Sequence, residues 1–314
     1  MGFLDFLKGG AADASVALDL SAGEVLPGAK LDLKAVVEGE LDDKVENLQL
    51  GVRCVNKYTR IDRDRDGSHR VKTSETIYED IVPVSDGPPS PGTHTRTVEL
   101  PPDAVPSAED AIEWEAVARI ARHRGRDIGE EQPLTMLLTP ERYASIEQKP
   151  PVVHGAPVTV RFEELNRRVR LGEKVSGVLV VTAQEDMKAK ETRINLAWRK
   201  TDSAEVYNWD GTDIAEIGGV RVSLEHGGGL AFYGGGSTVK ESGFADNLRF
   251  DEIELPAGHD VRFPFSLQLP VGGLPTLTAP HTAIQWRIEA VLERRMKDDI
   301  EVGIELNVFN APRA

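Results

Sequence analysis

Hydrophobic and polar residues alternate along much of this chain. Leu31, Leu33, Ala35 and Val37 fill every second position of one run, and Phe263, Phe265, Leu267 and Leu269 do the same in another. Ile284, Trp286, Ile288, Ala290 and Leu292 form a third run, and Val302, Ile304, Leu306 and Val308 a fourth. Successive side chains of an extended backbone point to opposite sides, so a period of two predicts strands with one buried face. Turn formers separate the runs at Pro27-Gly28, Asp66-Gly67, Asp86-Gly87, Pro91-Gly92 and Gly272-Gly273. One segment carries the opposite local signal. Ser107, with Asp110 three positions on, has the form of a helix-capping box, and residues 111–125 are rich in helix formers and close on Gly125.

A repeat decides that segment. Residues 28–37 match 172–181 at an offset of 144, and at the same offset Leu50, Val52 and Cys54 fall on Ile194, Leu196 and Trp198. Further along the offset is 172: Ala111, Ile112, Trp114 and Ala118 fall on Ala283, Ile284, Trp286 and Ala290, and Asp127-Ile128 on Asp299-Ile300. Duplicated segments share a conformation, so the clean alternation of 283–292 makes 111–120 a strand against its local propensity. The change of offset predicts one net insertion of 28 residues in the second half, at about 200–247, around the Gly-rich run 227–236. The reading is a short N-terminal helix or tail over 1–12, one β-sandwich over 13–146, an extended linker over 147–156 at Lys149-Pro150-Pro151, and a second sandwich over 157–310. Trp114 and Trp286 take the inward parity of equivalent strands, with Cys54 and Trp198 at matched inward positions, and all four are expected in the core. Glu130 and Gln132 stand where the second half has Val302 and Ile304, so the last strand of the first half is weakly specified.

Composition narrows the function classes. The 314 residues include 37 Lys and Arg against 52 Asp and Glu, a formal net charge of −15, the wrong sign for a protein that binds nucleic acid by neutralising phosphates. With 40% hydrophobic and 28% charged residues the chain has the make-up of a folded protein. The single cysteine, Cys54, can form neither an internal disulfide nor a Cys-based zinc site, which points to a reducing compartment. No apolar stretch is long enough for a transmembrane helix, and the start has no signal-peptide pattern, so a cytoplasmic location is expected.

Candidate chemistry is sparse. Asp62, Asp64 and Asp66, followed by Gly67, match the first half of a calcium loop, whose alternating carboxylates surround one hard cation. Thr73 stands where the bidentate Glu of such a loop belongs, and Arg63 and Arg65 offset its charge, so these aspartates are weak metal candidates in a polar hairpin turn. The seven histidines show no metal-binding spacing, no nucleophile elbow occurs, and the Gly-rich run lacks the ending of a phosphate-binding loop. Arg119, Arg122, Arg124 and Arg126, with His123, form the densest basic cluster of an acidic chain, on a hairpin where guanidinium forks can pair with carboxylates or phosphorylated groups. They are the partner-binding candidates. Phe3, Leu4, Phe6 and Leu7 make one face of a two-turn N-terminal helix able to dock on the protein itself, on a partner or weakly on a membrane.

The repeated pattern resembles the arrestin-like superfamily. Its carriers are Leu26-Pro27-Gly28, the run from Gly172 to Gly177, Phe263-Pro264-Phe265 leading to Leu269-Pro270, and Ile284 to Ala290 running into Asp299-Ile300. The resemblance covers both halves and implies an all-β protein of two tandem antiparallel immunoglobulin-like (arrestin-like) β-sandwiches. It further implies a non-enzymatic adaptor or scaffold that binds protein partners and needs no cofactor. Within the superfamily the Phe/Leu-rich start looks most like bacterial sporulation-control proteins, implying a role in sporulation or cell differentiation. The rival reading is a calcium- or ligand-binding β-sandwich module built on the Asp62 to Asp66 turn and the insertion.

Overall fold

A computed structural model describes residues 14–64, 67–139, 152–154, 158–203, 238–295 and 297–310. The chain divides into two compact units. One holds residues up to Lys57 together with Ser74–Leu137, and the other Tyr58–Thr73 together with the chain from Leu138 onward.

The first unit contains β1 (Ser15–Leu20), β2 (Glu24–Val25), β3 (Lys30–Glu38), most of β4 (Val45–Asp64) and β5 (Gly67–Pro83), then β6 (Gly92–Glu99), β7 (Ile112–Arg122) and β8 (Ile128–Met136). They form a three-stranded sheet, β1-β3-β6, and a five-stranded sheet, β2-β8-β7-β4-β5. Alternation places the core. Leu31, Leu33, Ala35 and Val37 of β3 are buried, as are Leu48, Leu50, Val52 and Cys54 of β4 and Trp114, Ala116, Ala118 and Ile120 of β7. Segment 112–122 is a strand, so packing parity overrides helix propensity. At Gly51 a Cβ would lie 1.9 Å from the Asp80 carbonyl oxygen, so only glycine fits. Arg96 of β6 completes that approach by donating to the Leu50 and Asp80 carbonyls at 2.6 and 2.9 Å.

The second unit contains β9 (Val152–His154), β10 (Val158–Glu163), β11 (Arg168–Arg170), β12 (Lys174–Ala183), β13 (Met187–Ser203), β14 (Thr238–Leu255), β15 (Asp260–Gln268), β16 (Leu277–Thr278), β17 (Thr282–Glu293) and β18 (Ile300–Phe309). Its sheets repeat the pattern: β10-β12-β15, and β11-β18-β17-β13-β14 with β9 and β16 as side strands. The register carries the sequence repeat into three dimensions. Cys54 pairs with Trp114 across β4 and β7, and Trp198 with Trp286 across β13 and β17. The left-handed glycines Gly28 and Gly172 (φ 76° and 81°) turn into β3 and β12 and donate to Pro101 and Pro270 at 3.2 and 3.1 Å.

Four expectations are corrected. The sheets are not wholly antiparallel, because β2 runs parallel to β8 and β11 parallel to β18 at the edge of each larger sheet. The predicted insertion at 200–247 is narrower, since β13 runs to Ser203 and β14 starts at Thr238; residues 204–237 lie outside the described residues. Part of the predicted linker over 147–156 is strand β9, whose backbone pairs with β18. The weakly specified β8 pairs with β7 from Ile128 to Leu134, and its polar residues have a use: Glu130 accepts the Leu18 backbone N–H at 3.1 Å, while Gln132 donates to the Leu18 carbonyl. These side chains stitch β1 to β8 where the second half has aliphatic residues.

Candidate functional site

The basic hairpin joins β7 to β8, turning at Gly125 (φ 97°). Asp127 closes it by accepting the Arg122 backbone N–H at 3.0 Å. The Arg122 guanidinium folds inward, with a side chain only 7% exposed, to donate to the Arg126 carbonyl at 3.4 Å and form an ion pair with Asp42. Arg119 lies flat on the sheet, donating from Nε and Nη2 to Gln49 Oε1 at 3.1 and 2.5 Å. His123 binds the Lys44 carbonyl through its backbone N–H at 3.0 Å and holds Nδ1 within 2.8 Å of it. Two of the four arginines are thus structural. Arg124 and Arg126 are exposed and make no side-chain hydrogen bond or ion pair among the described residues, and Lys44 is exposed beside them.

The second unit builds the same device between β17 and β18. Asp299 accepts the Arg294 backbone N–H at 3.2 Å, and Arg294 Nε donates to the Asp298 carbonyl at 2.7 Å. Arg295 and Lys297 remain exposed. They border an open cleft of about 1080 Å³ whose walls include Met187, Lys188, Lys190 and Glu293. Lys188 and Lys190 are neutralised by Glu254 and Glu293 at 2.6 Å each, and the lysines hold both carboxyls below the usual carboxylate range. These pairs are solvent-exposed and contribute little to stability.

The other candidates separate. Cys54 is fully buried, and loss of solvent pushes its thiol up to about 12, which leaves it protonated and unreactive. Trp114 and Trp286 are core anchors, whereas Trp198 is only half-buried, lying against the edge-strand Gly243. The Asp62 carboxylate is occupied by Arg60, whose Nε and Nη2 lie 2.9 and 3.1 Å away. The side chains of Asp64 and Asp66, like Phe3, Leu4, Phe6 and Leu7, lie outside the described residues. Among the described residues no group of three or more His, Cys, Asp or Glu side chains could hold a metal ion, and no helix is long and apolar enough to cross a membrane.

Sequence reasoning missed a buried polar cluster in the second unit. Asp202 is buried and accepts from the Thr59 backbone N–H and the Thr282 hydroxyl, each at 3.0 Å, with Lys200 Nζ at 3.6 Å. Beside it His281, also buried, stacks on Tyr58 with ring centroids 4.2 Å apart. The repeat held a faint signal, because at offset 144 Lys200 falls on Asn56, likewise a buried polar residue. No protein-family model matches this chain, and no curated protein matches it in sequence.

Proposed function

We propose that this chain is a non-enzymatic adaptor of two tandem immunoglobulin-like, arrestin-like β-sandwiches that captures acidic segments of partner proteins. One observation carries the reading. The same hairpin is built twice, and in each copy one arginine is consumed in holding the turn while two neighbouring cations, Arg124 and Arg126 or Arg295 and Lys297, stand exposed and unengaged. On a chain of net charge −15 such tips select a negatively charged partner segment over bulk polyanions. The sequence resemblance to arrestin-like sporulation-control proteins supports an adaptor role, and the protonated state of Cys54 argues against thiol catalysis.

The test is affinity capture from the native host with wild type and the Arg124→Ser/Arg126→Ser variant, at low salt and at about 0.3 M salt, where exposed charges are screened beyond several ångströms. Partners that bind through the hairpin are captured by wild type at low salt and lost with the variant or in high salt. Identical capture by both proteins under both conditions would refute the reading.

A further inference from the structure

Corresponding places in the two units differ in one ion pair. In the first unit Asp42, in the connection from β3 to β4, is joined to Arg122 at the end of β7, which ties that connection to the β7–β8 hairpin. At the offsets of the repeat, 144 and 172, these residues fall on Asp186 and Arg294, the same residue types. The registers agree, since Leu48 faces Ile120 in the first unit and Thr192 faces Leu292 in the second. Among the described residues, however, Asp186 and Arg294 make no pair. Asp186 accepts the Ala257 backbone N–H at 2.7 Å, and Arg294 donates from Nε to the Asp298 carbonyl at 2.7 Å. Each side chain serves its own turn, and the space between the turns is the open cleft of about 1080 Å³.

The cleft has two rims of opposite sign. Glu185, Asp251 and Glu252 stand on one and Arg295 and Lys297 on the other. All five are exposed, and among the described residues none makes a side-chain hydrogen bond or ion pair. Between the rims runs β13, whose Lys188 and Lys190 are neutralised by Glu254 and Glu293. Strands β14 and β17 flank β13, with Asp251 and Glu293 both opposite Glu191. Two strand spacings therefore hold the rims about 10 Å apart. Both turns are pinned at that distance, one through Asp186 and the other through Asp299, which accepts the Arg294 backbone N–H. Exposed charges separated by about a Debye length are largely screened from one another, so the rims do not satisfy each other across the gap.

We propose that this cleft binds an extended segment of a partner protein that carries an acidic and a basic residue about four positions apart, the acidic group meeting Arg295 and Lys297 and the basic group meeting Asp251, Glu252 and Glu185. The proposal rests on the adaptor reading of the second hairpin and adds the opposing charge to it. Charge complementarity selects the occupant. An extended chain advances about 3.3 Å per residue and returns to the same side at every second residue, so groups four positions apart face one way and span the gap. A free amino acid holds its ammonium and carboxylate on one carbon, too close together to reach both rims. A polyanion such as a nucleic acid brings no cation for the acidic rim and is repelled by it. In the first unit the Arg122–Asp42 pair occupies the corresponding place, so its hairpin has no such opposing rim.

The experiment uses the full chain and fluorescein-labelled peptides read by fluorescence anisotropy. A mixed peptide has two glutamates, three serines and two lysines in that order, an acidic peptide has glutamates in place of the lysines, and a compact peptide places the glutamates and lysines side by side. The titrations are run in the Arg124→Ser/Arg126→Ser background, where only the second hairpin keeps its exposed cations. The mixed peptide is expected to bind at least about fivefold more tightly than the other two, the scale set by two additional exposed ion pairs. Asp251→Asn/Glu252→Gln should remove that preference, and Arg295→Ser/Lys297→Ser should abolish binding of the mixed peptide. Every substituted residue is exposed, so each variant should melt with its parent. Equal binding of the mixed and acidic peptides, unchanged by Asp251→Asn/Glu252→Gln, would overturn the inference and leave the second hairpin as a site for acidic segments. Equal binding of the mixed and compact peptides would overturn the two-rim span. Failure of all three peptides to bind would overturn the inference as well, and binding of the acidic peptide to wild type would then show that the adaptor reading holds through Arg124 and Arg126.

Discussion

Trp114 and Trp286 are structural equivalents down to their indole hydrogen bonds. Each is almost fully buried, and each donates its Nε1–H to a carbonyl in the connection before its own strand, Val105 at 2.8 Å and Leu274 at 2.7 Å. Their cross-strand partners differ in size and the neighbouring strands compensate. Small Cys54 opposes Trp114, and the Tyr78 ring of β5 comes within 5.5 Å of it; large Trp198 opposes Trp286, and β14 supplies Gly243, where a Cβ would stand 3.1 Å from the Trp198 indole nitrogen. Each unit thus reaches close packing with a different division of volume.

Replacing Trp286 by Ala should destabilise the second unit by about 3–5 kcal/mol, the cost of deleting a buried aromatic. Trp286→Phe keeps most of the volume but strands the Leu274 carbonyl and should cost about 1–3 kcal/mol. Denaturant unfolding of the two variants checks both the burial and the hydrogen bond, and a loss below about 1 kcal/mol for the Ala variant would contradict the parity assignment.

The four hairpin arginines should not be equivalent. Arg122→Ala takes the guanidinium from Asp42 Oδ2 and from the Arg126 carbonyl, leaving Asp42 only the Lys44 backbone N–H on its other oxygen, and a loss of about 1–3 kcal/mol is expected. Arg124→Ala and Arg126→Ala should fall within about 0.5 kcal/mol of wild type, since exposed unpaired charges hold nothing together. Thermal melting of the three single variants measures the contrast.

Cys54 should resist thiol reagents in the native state. Its thiol is buried and its pKa raised to about 12, so almost no thiolate is present at neutral pH. Labelling by iodoacetamide is expected to follow the rate of unfolding, with added denaturant accelerating it. Rapid labelling of the folded protein would show that the strand opens locally.

Asp202 sets a pH dependence of opposite sign to an ordinary surface carboxylate. Burial raises its pKa above the usual 3.8 despite Lys200 and the hydrogen bonds from Thr59 and Thr282. A carboxyl with a raised folded pKa binds its proton more tightly when folded. Its contribution is therefore fully present below 3.8 and is lost as pH rises through the raised value. The stability difference between wild type and Asp202→Asn should fall over that rise, measured by denaturant unfolding at a series of pH values. A difference that grows with pH would mean that Lys200 outweighs burial.

The strands, their inward faces and the internal repeat are legible in the amino-acid pattern alone. A period of two is written residue by residue, and equivalent positions such as Trp114 and Trp286 announce each other at a fixed offset. The offsets also carry a correction: β3 and β12 pair with β6 and β15 so that Glu99 corresponds to Gln268, an offset of 169. The net insertion is therefore split, most of it before β15 and three residues in the connection to β17. Which charges are engaged depends instead on contacts between distant segments of the folded chain. Arg122 is consumed by Asp42, 80 positions away, and Glu130 and Gln132 by Leu18 on another strand. Burial parity is a local property of the backbone, whereas the partner of a charged side chain is set by strand register and by loops distant in the chain, which local composition does not encode.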